Sequence, residues 1–185
     1  MLSEIRWHGR GGQGIVTVSR LLAYAALSEG KYVQAFPEFG PERRGAPVTG
    51  YTRISDEPID IHSQIYTPNV VVIVDPTLIG TVNLTRGLVE DGTIVANTDE
   101  KPMELKETFG IKRAKVFTVN AVRIALDILG RPIYNTAMLG ALVKGAPLVN
   151  LESINKAVLE RFSGVVGEKN VAVIRRAFEE AEGCG

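Results

Sequence analysis

The chain is poor in the residues that hold metals and cross-links. It has 1 Cys and 2 His in 185 residues. A single Cys excludes an internal disulfide, and one Cys with two His cannot ligate an iron–sulfur cluster. His8 and His62 stand far apart, without partners at ligand spacing, which leaves no structural zinc site. Any redox metal must therefore come from another chain. An excess of either charge is also missing, since Lys plus Arg total 21 and Asp plus Glu total 21. Nucleic-acid binders carry a basic excess, so no nucleic-acid partner is expected. Apolar runs such as Val70–Val74 fall far short of the roughly 20 residues that span a bilayer. Met1-Leu2-Ser3-Glu4-Ile5-Arg6 has no apolar stretch of the kind a secretory signal carries. The expected compartment is the cytoplasm, with no membrane partner.

What remains has the composition of a globular protein, 45% hydrophobic and 23% charged. The length suits one core and one domain, residues 1–185. Leu2–Trp7, Tyr32–Phe36, Val48–Ile54, Val70–Val74, Thr93–Ala96 and Ala114–Thr118 read as strands, and Ile59–Ile61 as a short hairpin arm. Apolar residues at helical spacing mark Ile15–Ser28 as a helix, with Gly30 as its stop. Further helices are expected at Thr77–Leu84, Pro102–Phe109, Val119–Leu129, Asn135–Val143, Leu151–Phe162 and Glu168–Glu182. Asn150 is a cap candidate, while Asp75, Asn120 and Asn135 read as caps or as ligand contacts, capping being the commoner role for Asp75. Cys184 is expected in a frayed tail. Strands alternating with helices predict an α/β fold, Rossmann-like, with a mostly parallel twisted sheet and helices on both faces. Ligands of such folds sit on loops at the carboxyl ends of strands.

Two loops stand out at such ends. The first, Gly9-Arg10-Gly11-Gly12-Gln13-Gly14, satisfies G-x-G-x-x-G between a strand and a helix. Glycine permits positive φ and close approach of an anion, and the following helix offers free N–H groups and its dipole. Arg10 adds a charge. Ile15 and Val16 follow Gly14, so the Lys and hydroxyl of a Walker A loop are missing. A dinucleotide fold wants an acid at the end of the second strand, where Gln34-Ala35-Phe36 stands; Glu29 has the right count but lies at a helix end. The bland alternative is a tight turn with no ligand. The second loop runs from Pro37 to Pro47, with three prolines, two glycines and Glu42-Arg43-Arg44. Its arginines can clamp a phosphate or carboxylate, its Phe36 and Phe39 can anchor a partner, or its charges simply pair in solvent. His8, beside the first loop, reads as a proton carrier or, more commonly, as a structural histidine.

Taken together, the two loops resemble the gamma subunit of the 2-oxoacid:ferredoxin oxidoreductases. The matching residues are Gly9–Gly14, then Phe36-Pro37-Glu38 with Gly40-Pro41-Glu42-Arg43-Arg44-Gly45. A third piece agrees, from Asn120-Ala121 through Ile124-Ala125 to Gly130, then Asn135 and Leu139-Gly140. Ala46 departs from the pattern, where many relatives carry a second Gly. The resemblance implies a cytoplasmic enzyme that oxidatively decarboxylates a 2-oxoacid, with pyruvate the leading choice. Coenzyme A is consumed, and acyl-CoA, carbon dioxide and reduced ferredoxin are formed. It places thiamine diphosphate, magnesium and the iron–sulfur clusters on alpha, beta and delta subunits. This chain would contribute coenzyme A binding and subunit packing, and no catalytic residue. The phosphate-contact role then falls on Gly9, Arg10, Gly11, Gly12, Gln13 and Gly14, with Arg43, Arg44 and Gly45, the two loops lying on adjacent strand ends. A purely scaffolding subunit and an NAD- or FAD-binding oxidoreductase domain are the competing expectations.

Overall fold

The computed structural model describes residues 1–38 and 44–185. The Arg43 assignment therefore lies outside the described residues. Strand β1 (Leu2–Arg10) is central, with β3 (Pro47–Ser55) antiparallel on one side and β4 (Val70–Ile73) parallel on the other. Beyond β3 lies β2 (Tyr32–Pro37); beyond β4 lie β5 (Thr93–Asn97), β6 (Lys115–Val119) and β7 (Glu182–Cys184). The order is β2-β3-β1-β4-β5-β6-β7, and only β3 and β7 run against the other five.

Side-chain alternation gives the two faces different characters. Ile5 and Trp7 point to the same face as Val70 and Val72, toward α1 (Ile15–Ser28) and α4 (Ala137–Gly145). Helices α3 (Ala121–Leu129), α5 (Leu151–Arg161) and α6 (Gly164–Glu180) complete this layer, α5 and α6 packing over α1 and α4. The opposite face has one short helix, α2 (Pro102–Thr108), over a smaller core of Val71, Ile73, Ile94 and Leu105. Helices thus cover both faces, five against one. Under β1 and β3 that second face is polar, lined by Glu4, Arg6 and His8 beside Tyr51 and Arg53.

Two expected elements do not form, and buried arginines on this face take backbone carbonyls from both segments. Arg6 Nη2 donates to the Leu84 carbonyl at 3.0 Å and to Arg86 at 2.6 Å. The expected Thr77–Leu84 helix is a single 3-10 turn, Pro76–Leu78, because Ile79 is already extended (φ −62°, ψ 126°) and Gly80 takes a left-handed φ of 77°, which an α-helix does not continue through. Arg53, 1% exposed, donates to the carbonyls of Ile61 (3.3 Å), Ser63 (2.8 Å) and Gln64 (3.4 Å). The Ile59–Ile61 arm is irregular backbone wrapped around that guanidinium. At the other end, Cys184 pairs with Val116 in an edge strand and packs on the smaller core, not in a frayed tail. Helix α3 begins at Ala121 because Asn120 Oδ1 accepts from Arg123 N at 2.8 Å. Helix α6 begins at Gly164, a turn before the expected Glu168.

Candidate anion site at the end of the first strand

The chain leaves β1 to β3 and β2 on one side and to β4, β5 and β6 on the other, so the order of the sheet reverses between β1 and β4. Ligands of open α/β sheets bind at such a point. Gly9 and Arg10 are the last residues of β1, and Gly11–Gly14 turn the chain into α1. Gly12 (φ 93°) and Gly14 (φ 75°) take left-handed conformations that side chains resist. A Cβ on Gly14 would also lie 2.3 Å from Asn135 Nδ2. As N-cap residue of α1, Gly14 has no side chain to satisfy the first-turn N–H groups, and no acid lies in that turn. These groups face a cleft of about 290 Å³ lined by Arg10, Gly11, Gly12, Val16, Pro37 and Thr49, among others.

Pro37, where the second loop starts, borders this cleft, and the described end of that loop joins the glycine turn by a route different from the expected one. Strands β1 and β2 are not neighbours, since β3 lies between them. The loops meet because β3 starts beside the end of β1. Gly11 N donates to Ala46 O at 2.8 Å and Gly45 N to Gly11 O at 3.1 Å. The exposed Arg44 side chain lies against Gly12, with Nε 3.9 Å from where a Cβ would stand.

Arg10 and Gln13 are engaged within the protein. Arg10 donates to Thr77 Oγ1 at 3.0 and 2.9 Å and to Gly45 O at 3.1 Å, and its Nε lies 3.4 Å from Asp75 Oδ2. Gln13 Oε1 accepts from Arg10 N at 2.7 Å, while its Nε2 donates to Asp75 and, at 3.0 Å, to Tyr134 Oη. Burial pushes the Asp75 carboxyl up, but hydrogen bonds from Thr77 and Gln13 and the charge of Arg10 outweigh it, so it sits below its ordinary range. Asp75 is thus a cap, accepting from Thr77 N at 2.8 Å, and also the anchor of the glycine turn. Tyr134 is raised by burial and by the Asp75 charge. Sequence reasoning missed Thr77 and Tyr134; the signal for Thr77 was its place just after a buried strand ending in Asp75-Pro76.

His8 accepts from Arg6 Nε at 3.0 Å. Burial, then the Arg6 charge, lowers its pKa to about 3, so the ring is neutral and structural. Glu29, the acid with a dinucleotide-like count, is spent elsewhere: its Oε1 accepts from Asn150 N at 2.7 Å. That contact also takes the Asn150 side chain, which makes no capping bond. A larger cleft, about 650 Å³, opens beyond β4, β5 and β6, but it sets Asp99, Glu100 and Asp127 against Arg123 alone, the wrong sign for a phosphate. Among the described residues no cluster of His, Cys, Asp or Glu suits a metal ion, and no helix is long and apolar enough to cross a membrane.

Comparison with known proteins agrees along the whole chain. The family model described as pyruvate ferredoxin/flavodoxin oxidoreductase matches residues 4–180. The pyruvate/ketoisovalerate oxidoreductases common subunit gamma of Pyrococcus abyssi is 54% identical over 179 residues, 97% of each chain. Pyruvate synthase subunit PorC of Methanothermobacter marburgensis is 48% identical over 182 residues, covering 98% of this chain and 99% of that one. The crystal structure of pyruvate oxidoreductase subunit PORC from Thermotoga maritima superposes with a TM-score of 0.89 at 42% identity, covering 100% and 99% of the two chains.

Proposed function

Since the chain belongs to the pyruvate ferredoxin/flavodoxin oxidoreductase family, as a gamma-type subunit, we propose that it holds the phosphate end of coenzyme A for that enzyme. The cleft between the glycine turn and the second loop is the site. Its enzyme, cytoplasmic and built with alpha, beta and delta subunits, converts a 2-oxoacid such as pyruvate and coenzyme A to acyl-CoA and carbon dioxide, with the electrons passing to ferredoxin. Thiamine diphosphate, magnesium and iron–sulfur clusters belong to the partner subunits; among the described residues no cluster of His, Cys, Asp or Glu would hold a metal here.

The observation that carries this reading is the uncapped N-terminus of α1, opening into a cleft with Arg44 laid across Gly12. Free N–H groups and the positive end of a helix dipole favour an anion. Arg44 can add a charge-assisted contact. Gly9, Gly11, Gly14 and Gly45 shape the backbone around it. Arg10 and Gln13 hold that backbone in place, and their side chains have less left to offer a ligand. At about 290 Å³ the cleft suits a phosphate group and not the whole of coenzyme A. The long pantetheine arm is then free to carry its thiol toward a neighbouring subunit, so the contribution of this chain is proximity.

The test is coenzyme A titration of the assembled enzyme. Arg44→Ala is expected to raise Kd about tenfold, the low end for an interaction with a charged group, because Arg44 is solvent-exposed. Unchanged affinity overturns the assignment. Loss of assembly with unchanged affinity supports the scaffolding reading instead.

A further inference from the structure

A second cleft lies on the helical side, between the start of α6, the end of α5 and the α3–α4 connection. It encloses about 520 Å³ and shares no lining residue with the glycine-loop cleft. Its apolar wall is Ile133, Phe162, Val165 and Val166. Ile133 is 51%, Val165 66% and Val166 58% exposed. Branched aliphatic side chains left this open, side by side, mark a surface that another molecule covers.

The rim has one sign. Arg131, Arg161 and Lys169 surround the groove, and among the described residues no carboxylate lines it. None of the three forms an ion pair among the described residues, and Arg161 lies over the Phe162 ring, 5.1 Å from its centroid. The 17-residue α6 also begins here, and its N-cap Ser163 makes no side-chain capping bond. Its dipole adds positive potential over the exposed valines. The floor is built and satisfied. Thr136, 1% exposed, donates to Asn170 Oδ1 at 2.8 Å, and Asn170 Nδ2 donates to Val166 O at 2.8 Å.

We propose that this groove docks an acidic, apolar-anchored segment of another subunit of the oxidoreductase. Two or three aliphatic or aromatic side chains enter against Ile133, Val165 and Val166, and carboxylates meet Arg131, Arg161, Lys169 and the α6 N-terminus. Such an arrangement puts an apolar anchor at the centre and charges at the rim. The inference rests on the gamma-subunit reading, since it needs a multi-subunit enzyme, but it does not rest on where coenzyme A binds.

The test uses the complex assembled from all its subunits. The triple variant Arg131→Glu, Arg161→Glu, Lys169→Glu is expected to weaken association of this chain at least about tenfold at low salt. Raised salt is expected to narrow its difference from wild type. Coenzyme A affinity in whatever complex forms should stay within about twofold of wild type. In a second arm, p-benzoylphenylalanine replaces Val165 and the intact complex is irradiated. Cross-linking to an Asp- or Glu-bearing segment of another subunit is expected. Assembly of the triple variant at wild-type strength, or cross-links to a second copy of this chain or to none, overturns the docking proposal alone. A wild-type chain that joins no oxidoreductase subunit overturns the reading beneath it as well.

Discussion

His8 stands three residues before the glycine turn, where a proton carrier would be most useful, and the structure makes it the opposite. Its Nε2 accepts from Arg6, so the ring must be neutral, and burial together with the Arg6 charge lowers its pKa from 6.5 to about 3. The unfolded chain takes up this proton near 6.5 and the folded chain only near 3. Stability from this group is therefore complete above about pH 7 and is lost as pH falls toward 3. Between pH 6.5 and 5, where few carboxylates titrate, linkage gives a loss of roughly 1–2 kcal/mol from His8 alone. Urea unfolding of the wild type and of His8→Gln, followed across that window, isolates it. The wild type should lose roughly 1–2 kcal/mol more than the variant. Parallel slopes, or an NMR titration of the His8 ring with a midpoint near 6.5, would refute the argument and restore the proton-carrier reading.

Two further substitutions probe the frame of the site. Gly14→Ala forces a side chain into a left-handed conformation (φ 75°) and against Asn135; it should cost about 1–3 kcal/mol in thermal unfolding and weaken coenzyme A binding, and a neutral result would mean the turn relaxes freely. Arg53→Ala removes a fully buried cation from Glu4, 2.7 Å away, and from three loop carbonyls. A loss of about 3–5 kcal/mol is expected, with faster proteolysis near residues 59–64; a change under about 1 kcal/mol would show that water replaces the guanidinium.

Elements whose order is local were legible in the sequence. Helix α1 has the expected limits because its apolar spacing lies within it and Gly14 and Gly30 stand just outside its two ends. Strands β4 to β6 follow from β-branched runs, and the α3 cap from Asn120. Most of the misreadings are non-local; Thr77–Leu84 is the exception, since Gly80 within it turns left-handed and ends the helix. Nothing in Ile59–Ile61 reveals Arg53 beneath it. Strand β7 has three residues, one of them Gly183, and exists only because the β6 edge is there to receive it. At the site, the glycine turn was legible as a motif with its context. The division of labour within it was not, because Asp75, Thr77 and Tyr134 arrive from distant segments.

That division decides which residue gives the site its sign. Arg10 looks like the phosphate ligand by position, yet it faces the Asp75 carboxylate, and its donors reach Thr77 and Gly45. A cation paired this way contributes little net field to an anion nearby, since the Asp75 charge opposes it at almost the same distance. The positive potential of the cleft therefore comes from the α1 amides and from Arg44. Across the Arg10–Asp75 pair, the larger cleft presents Asp99, Glu100 and Asp127. A phosphate placed there meets like charge, whereas at the glycine turn it meets the helix terminus. The pair thus works as a partition between two clefts of opposite sign. Of these two clefts, the one at the glycine turn is where we propose the anionic end of coenzyme A to sit, held by the backbone of α1 more than by the arginine the motif puts in view.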